Sequence, residues 1–155
     1  MQWLGTRTGR ISVRAPDARG TPQSWHAGFE FVEQGPSRTL LLTDPLGTTL
    51  AKIESDDAGA RMTTSNGEQS SYGSLAELTQ RVTGVALPER AWRYWLDGVP
   101  APDIPSQQRA QLGFGQGGFW INVVSRFENN KPRVVDITRP DTPELAVRVA
   151  LDAAP

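Results

Sequence analysis

One histidine, no cysteine and 17 carboxylates are what this 155-residue sequence offers for covalent or acid–base chemistry. His26 lies on the polar side of an alternating stretch, with no second histidine to form a pair or triad. No Gly-x-Ser-x-Gly elbow accompanies it. Asp56 and Asp57 are two adjacent carboxylates in an Asp-Asp-Ala-Gly turn. Successive residues there point apart, so a solvated turn is the expectation. Gly113-Phe-Gly115-Gln-Gly117-Gly118 spells the dinucleotide fingerprint, but Phe119-Trp-Ile-Asn-Val-Val124 follows. That fingerprint needs a helix after it, to hold a pyrophosphate at its N-terminus. A hairpin turn is expected instead. No catalytic set, metal site or cofactor emerges from these residues.

The apolar residues are more informative. Trp25, Phe29 and Phe31 share one face of a strand, while Trp92, Trp95 and Leu96 share one face of a short helix. Trp120 stands in a later strand. Such faces build a filled core or the wall of a cavity, and the pattern alone does not separate the two. Leu46 poses a separate question, since it sits in the turn Asp44-Pro45-Leu46-Gly47. Pro45 fixes φ and Gly47 permits an unusual angle, so the tip is stiff. A stiff turn presenting one large apolar side chain suits contact with acyl chains or membrane.

The elements that position these residues follow from hydrophobic period. Strands are expected at 9–14, 24–32, 38–43, 48–54, 60–64 and 69–72, with Asn66-Gly67 making a tight hairpin. Leu40 and Leu42 share a face, as do Ala51 and Ile53. The period then changes. Ser74-Leu-Ala-Glu77 is a capping box, with Leu75, Leu78 and Val82 at helical spacing and Gly84 as the stop. Pro88 opens a second helix that Gly98-Val-Pro100 ends. Residues 101–109, with Pro102 and Pro105, read as irregular chain. Strands resume at 111–114, 119–125, 133–138 and 145–151. No βαβ rhythm exists, so the sheet is expected to be antiparallel.

The length suits one domain over residues 1–155. A net charge of −1 without a basic stripe gives nucleic-acid binding no support. No apolar run is long enough to span a bilayer as a helix.

These residues resemble the LolB family of outer-membrane lipoprotein receptors. The likeness is carried by Gly9-Arg-Ile11, Leu40-Leu-Leu-Thr-Asp-Pro-Leu-Gly-Thr48, Thr83-Gly-Val-Ala-Leu-Pro88, Trp92-Arg-Tyr-Trp95-Leu-Asp-Gly-Val-Pro100 and Lys131-Pro-Arg-Val-Val-Asp-Ile-Thr138. It covers nearly the whole chain. It implies a mainly β fold, an open antiparallel barrel of about 11 strands under a helical lid. It also implies a role: accepting triacylated lipoproteins from a periplasmic LolA-like carrier and releasing them into outer-membrane lipid. The acyl-chain cavity would then be lined by Trp25, Phe29, Phe31, Leu40, Leu42, Leu78, Val82, Trp92, Trp95, Leu96 and Trp120. The membrane-insertion loop would be Pro45, Leu46 and Gly47. A monomer at the periplasmic face of the outer membrane is expected. Family members are anchored through an N-terminal cysteine, which this chain lacks. The expectation is that the anchoring segment has been trimmed, with Trp3 a remnant of the family's N-terminal helix. Two alternatives remain on the residues: a periplasmic binder of another lipid on the same fold, and an acyl-ester hydrolase relying on His26.

Overall fold

Alternating side chains build most of this molecule, and the strands run where the alternation runs. The computed structural model describes residues 4–17, 19–83, 86, 91–109, 113–141 and 144–152. The first six strands are β1 (Leu4–Pro16), β2 (Pro22–Gln34), β3 (Ser37–Thr43), β4 (Thr49–Asp56), β5 (Gly59–Thr64) and β6 (Gln69–Tyr72). Helices α1 (Leu75–Thr83) and α2 (Trp92–Leu96) follow. Then come β7 (Ser106–Gln108), β8 (Phe114–Gln116), β9 (Phe119–Arg126), β10 (Pro132–Arg139) and β11 (Leu145–Leu151). All 11 strands form one sheet in the order β6-β5-β4-β3-β2-β1-β11-β10-β9-β8-β7. Every pairing is antiparallel, and β6 and β7 stand at the two ends, so the sheet is open. This is the mainly β architecture with two short helices that the sequence led us to expect.

The buried face follows the parity. On β2 Ala27, Phe29 and Phe31 are buried, while Ser24, His26 and Glu30 of the other parity are exposed. On β11 Leu145, Val147, Val149 and Leu151 are buried. On the outer face Arg148 grips Asp136 across the β10–β11 register, with Nε and Nη2 donating to the two carboxylate oxygens at 2.7 and 2.8 Å. Those hydrogen bonds, then the carboxylate's charge, raise the arginine's pKa above its ordinary value. Gly117 and Gly118 join β8 to β9 with φ of 59° and 86°, the two left-handed positions of a tight hairpin. The fingerprint-like glycines thus serve a turn.

Four details differ from the sequence expectation, the first being that the strand expected at 111–114 runs on through Gln116 as β8, because β7 and β9 pair with it there. β1 extends from Leu4 to Pro16 because β2 pairs with it along its whole length. Residues 106–108, expected to be irregular, form β7, since β8 offers a free edge for pairing. In the capping box the Ser74 hydroxyl accepts from the Glu77 amide at 3.1 Å, but Glu77 accepts from Gly73 N–H at 2.9 Å, one residue further out. The expected helix start at Pro88, the stop at Gly84 and strand residues 111–112 lie outside the described residues.

Two apolar clusters form. The larger joins β1, β2, β8, β9, β10 and β11 to α2, with Trp95, Ile121, Val135 and Ile137 fully buried. The smaller, Ile53, Ala60 and Leu78, joins α1 to β4 and β5. Leu40 packs against both.

Candidate functional site

The space between the two clusters is a hollow of roughly 250 Å3 with an overwhelmingly apolar wall. From the sheet it is lined by Ile11 and Val13 on β1, Trp25 and Phe31 on β2, Leu40 and Leu42 on β3, Ala51 and Ile53 on β4, Met62 on β5, and Leu145 and Val147 on β11. The helices close it with Leu75 and Leu78 of α1 and Trp92 of α2. Arg38, Ser55 and Thr79 bring polar atoms to the same wall.

The hydrophobic face of each strand puts these residues there, because one strand offers an apolar side chain to the same side at every second position. Leu40 and Leu42 pair in register with Phe31 and Phe29 on one side and with Ile53 and Ala51 on the other. A continuous apolar row therefore crosses β2, β3 and β4.

The two helices are held very differently. The indole Nε1 of Trp95 donates to Gln116 Oε1 at 2.8 Å. The same oxygen accepts from Ala101 N–H at 2.8 Å, and the Gln116 amide donates to the carbonyls of Ala101 and Ile104 at 2.9 and 2.7 Å. Every polar atom of this buried side chain is thereby used. Charge fixes α2 as well. Arg93 approaches Glu33 of β2 at 2.6 Å, and Arg7 of β1 approaches Asp97 at 2.9 Å. Helix α1, in contrast, lies on β5 and β6 at the edge of the sheet and seals its side of the hollow with Leu78.

Of the residues expected to line a cavity, Trp25, Phe31, Leu40, Leu42, Leu78 and Trp92 do reach this hollow. Phe29, Trp95 and Leu96 are buried within the larger cluster instead, where Trp95 packs on Phe119 with ring centroids 5.5 Å apart. Trp120 lies under the Arg109 guanidinium, 4.4 Å from the ring centroid, and its ring passes over Gly115. The Val82 side chain lies outside the described residues. Sequence reasoning passed over Met62, Leu75, Arg38 and Gln116. Met62 and Leu75 carried a usable signal, since each lies on the same face as a neighbour already singled out. Gln116 carried none, because a glutamine between glycines looks like turn surface.

The Asp44–Thr48 loop is built as a rigid finger. Asp44 Oδ1 accepts from the amides of Leu46 and Thr48, each at 2.9 Å. The Asp44 amide donates to Thr48 O and the Gly47 amide to Asp44 O, both at 2.9 Å. Gly47 takes φ of 88°, which a side chain disfavours. The result leaves Leu46 92% exposed, the most exposed large apolar side chain described. His26, on the outer face, is exposed and meets no second histidine. Among the described residues no group of acidic or histidine side chains could hold a metal ion, and no helix is long and apolar enough to cross a membrane.

The family model described as "Outer membrane lipoprotein LolB" matches residues 5–151. The chain belongs to the LolB family. Relatives named outer-membrane lipoprotein LolB include that of Bordetella petrii, 29% identical over 94% of this chain and 76% of its own length. The LolB of Bordetella pertussis is 30% identical over 86% of the chain and 70% of its own length. That of Cupriavidus pinatubonensis is 29% identical over 94% of the chain and 76% of its own length. Residues 5–151 take in both features of this LolB-family chain, the hollow and the finger.

Proposed function

We propose that this protein accepts the acyl chains of lipoproteins from a LolA-like periplasmic carrier and delivers them into the inner leaflet of the outer membrane, where the protein itself resides. The observation that carries this reading is the apolar hollow between α1 and the sheet. Three acyl chains contain on the order of forty methylenes, each worth about 0.8 kcal/mol on leaving water. Such cargo crosses an aqueous compartment only when enclosed, and an exposed flat patch of that size would aggregate.

The dimensions of the hollow and the ties of the helices support a division of labour. Roughly 250 Å3 is small for this cargo, below the roughly 300–1,000 Å3 of ordinary small-ligand pockets. The hollow must therefore widen on loading. Helix α2 is tied to β1, β2 and β8 by buried hydrogen bonds and charge pairs, so the widening is assigned to the opposite side, the sheet edge of β5 and β6 on which α1 lies. Leu46 then leads release: burying an exposed leucine in the hydrocarbon edge holds the protein against the bilayer. No nucleotide is needed if the cargo is held more tightly here than by the carrier and more tightly still by the membrane.

The small hollow also favours a second reading, a periplasmic binder of a single-chain lipid. One experiment separates them. Carrier loaded with a fluorescent triacylated lipoprotein is mixed with this protein, and transfer is followed by resolving the two proteins. A fluorescent fatty acid is titrated in parallel. Transfer of the lipoprotein supports the first reading. Fatty-acid binding with refusal of the lipoprotein establishes the second and overturns the first.

A further inference from the structure

Among the described residues the exposed large apolar side chains are Trp25, Leu46, Leu50, Val99 and Val124. A single exposed apolar side chain needs no explanation, but Trp25, Leu46 and Leu50 gather at one end of the sheet. The register puts them there. Gly28 and Thr43 are the last pair of β2 and β3, and beyond Thr43 the chain enters the finger. Asp44 and Pro45 line one cleft with His26, Ala27 and Gly28, so the finger lies alongside β2. Trp25 is three residues beyond Gly28, and Leu46 is three residues beyond Thr43. The two side chains thus stand off the same pair by equal lengths of chain. Leu50 is the second residue of β4, which starts where the finger ends.

Trp25 connects this end to the hollow. It has the inward parity of β2 and lines the hollow with Val13 and Val147, its neighbours in register across β1 and β11. Every other apolar residue of that lining is buried or half-buried, whereas Trp25 is 37% exposed. One ring therefore borders both the hollow and solvent. Its indole N–H has no acceptor among the described residues, unlike that of Trp95. A ring partly in apolar surroundings with its N–H unspent is the form tryptophan takes at a membrane–water interface.

We infer that Trp25 is a second membrane contact, which turns its side of the hollow toward the lipid surface beside the inserted Leu46. The inference rests on the proposed function, because it needs Leu46 to enter the bilayer. A second contact supplies what one inserted leucine lacks. A single point fixes depth but leaves the molecule free to tilt and turn. Two points at one end decide which side of the protein faces lipid. Acyl chains leaving past Trp25 then pass from an apolar wall to the bilayer with little exposure to water, the exposure that holds them back elsewhere. Continuity with the finger favours lipid over the carrier protein as the occupant of this end.

The test labels the full chain with 5-fluorotryptophan and assigns the Trp25 resonance by its loss in Trp25→Phe. Protein without cargo is mixed with phosphatidylcholine bicelles carrying a headgroup nitroxide, and with the same bicelles after the nitroxide is reduced. We expect the nitroxide to broaden the Trp25 resonance and to leave that of the buried Trp95 sharp. A sharp Trp25 resonance on bicelle-bound protein overturns the inference and leaves the role of Leu46 standing. A Trp25 resonance that ignores the nitroxide but shifts on adding unloaded carrier assigns the ring to the carrier and overturns it as well. Failure to bind bicelles at all overturns membrane delivery and this inference together. Partition onto phosphatidylcholine vesicles gives a second readout, with thermal melting to check each fold. Trp25→Ser should lower it about tenfold. Val124→Ser, at an exposed site on β9, five pairings from β3 in the sheet order, should leave it unchanged. Equal losses at both sites, or none at Trp25, overturn the contact.

Discussion

Replacing Leu46 by glutamate tests whether the finger works in release rather than in folding. The side chain is 92% exposed, and the four hydrogen bonds that shape the loop come from the Asp44 carboxylate and the backbone. The substitution therefore removes almost no intramolecular contact, and stability should change by no more than about 0.5 kcal/mol. Membrane contact is another matter. Burying a leucine side chain is worth about 1.5–3 kcal/mol, and 92% of that surface is available here. Its loss lowers partition onto vesicles by roughly 10- to 100-fold, before any added penalty for burying a carboxylate. The assay pairs three measurements on one sample: melting temperature, lipoprotein acceptance from the carrier, and insertion into liposomes. The first two should match wild type while insertion falls. Normal insertion with glutamate at 46 would refute the assigned role. A parallel collapse of acceptance would mean the loop belongs to the carrier interface instead.

Gln116→Leu should lower stability by about 3 kcal/mol or more, because the Trp95 indole and the backbone groups of Ala101 and Ile104 lose buried partners; denaturant unfolding measures it, and a loss under about 1 kcal/mol contradicts the network. Ala51→Phe points into the hollow, so it should cost less than the roughly 1–3 kcal/mol of overpacking a filled core while sharply reducing binding of a fluorescent fatty acid. Glu33→Leu removes the carboxylate that Arg93 meets at 2.6 Å in a half-closed site and should destabilise in thermal melts by more than the roughly 1 kcal/mol of a surface pair. Gly47→Ala forces a side chain onto φ of 88° and should cost about 1 kcal/mol and loosen the finger, read as faster amide exchange at Leu46 and Thr48.

Much of the architecture was legible because alternation reports which side of a strand is apolar. Ile11 and Val13, Leu40 and Leu42, and Val147 and Val149 all lie on the face their parity assigns. β7 was not legible: Ser106-Gln-Gln108 has no apolar member and follows Pro105, and only pairing with β8 makes it a strand. The site was legible by half. Helical spacing put Trp92 and Trp95 on one apolar face, but spacing cannot tell whether the facing volume is filled. Trp92 reaches the hollow, whereas Trp95 meets Phe119 and Gln116. For Trp120 the signal was present in its neighbours. Phe119 and Ile121 are the buried members of β9, which leaves the tryptophan between them on the other face. The finger was legible because Pro45 and Gly47 are turn chemistry that leaves the leucine no inward path.

The sheet never meets its own edge: β6 and β7 stand apart at the two extremes of the order. A closed ring has a circumference set by its strand count and stagger, and it can swell only by tearing a seam. An unjoined sheet is free of that condition. It can uncurl by a small change of twist at each of ten seams, as a hand opens without losing a finger. The carriage proposed above draws on that missing eleventh seam, and on that proposal stitching the two margins together leaves a stable vessel that cannot be filled.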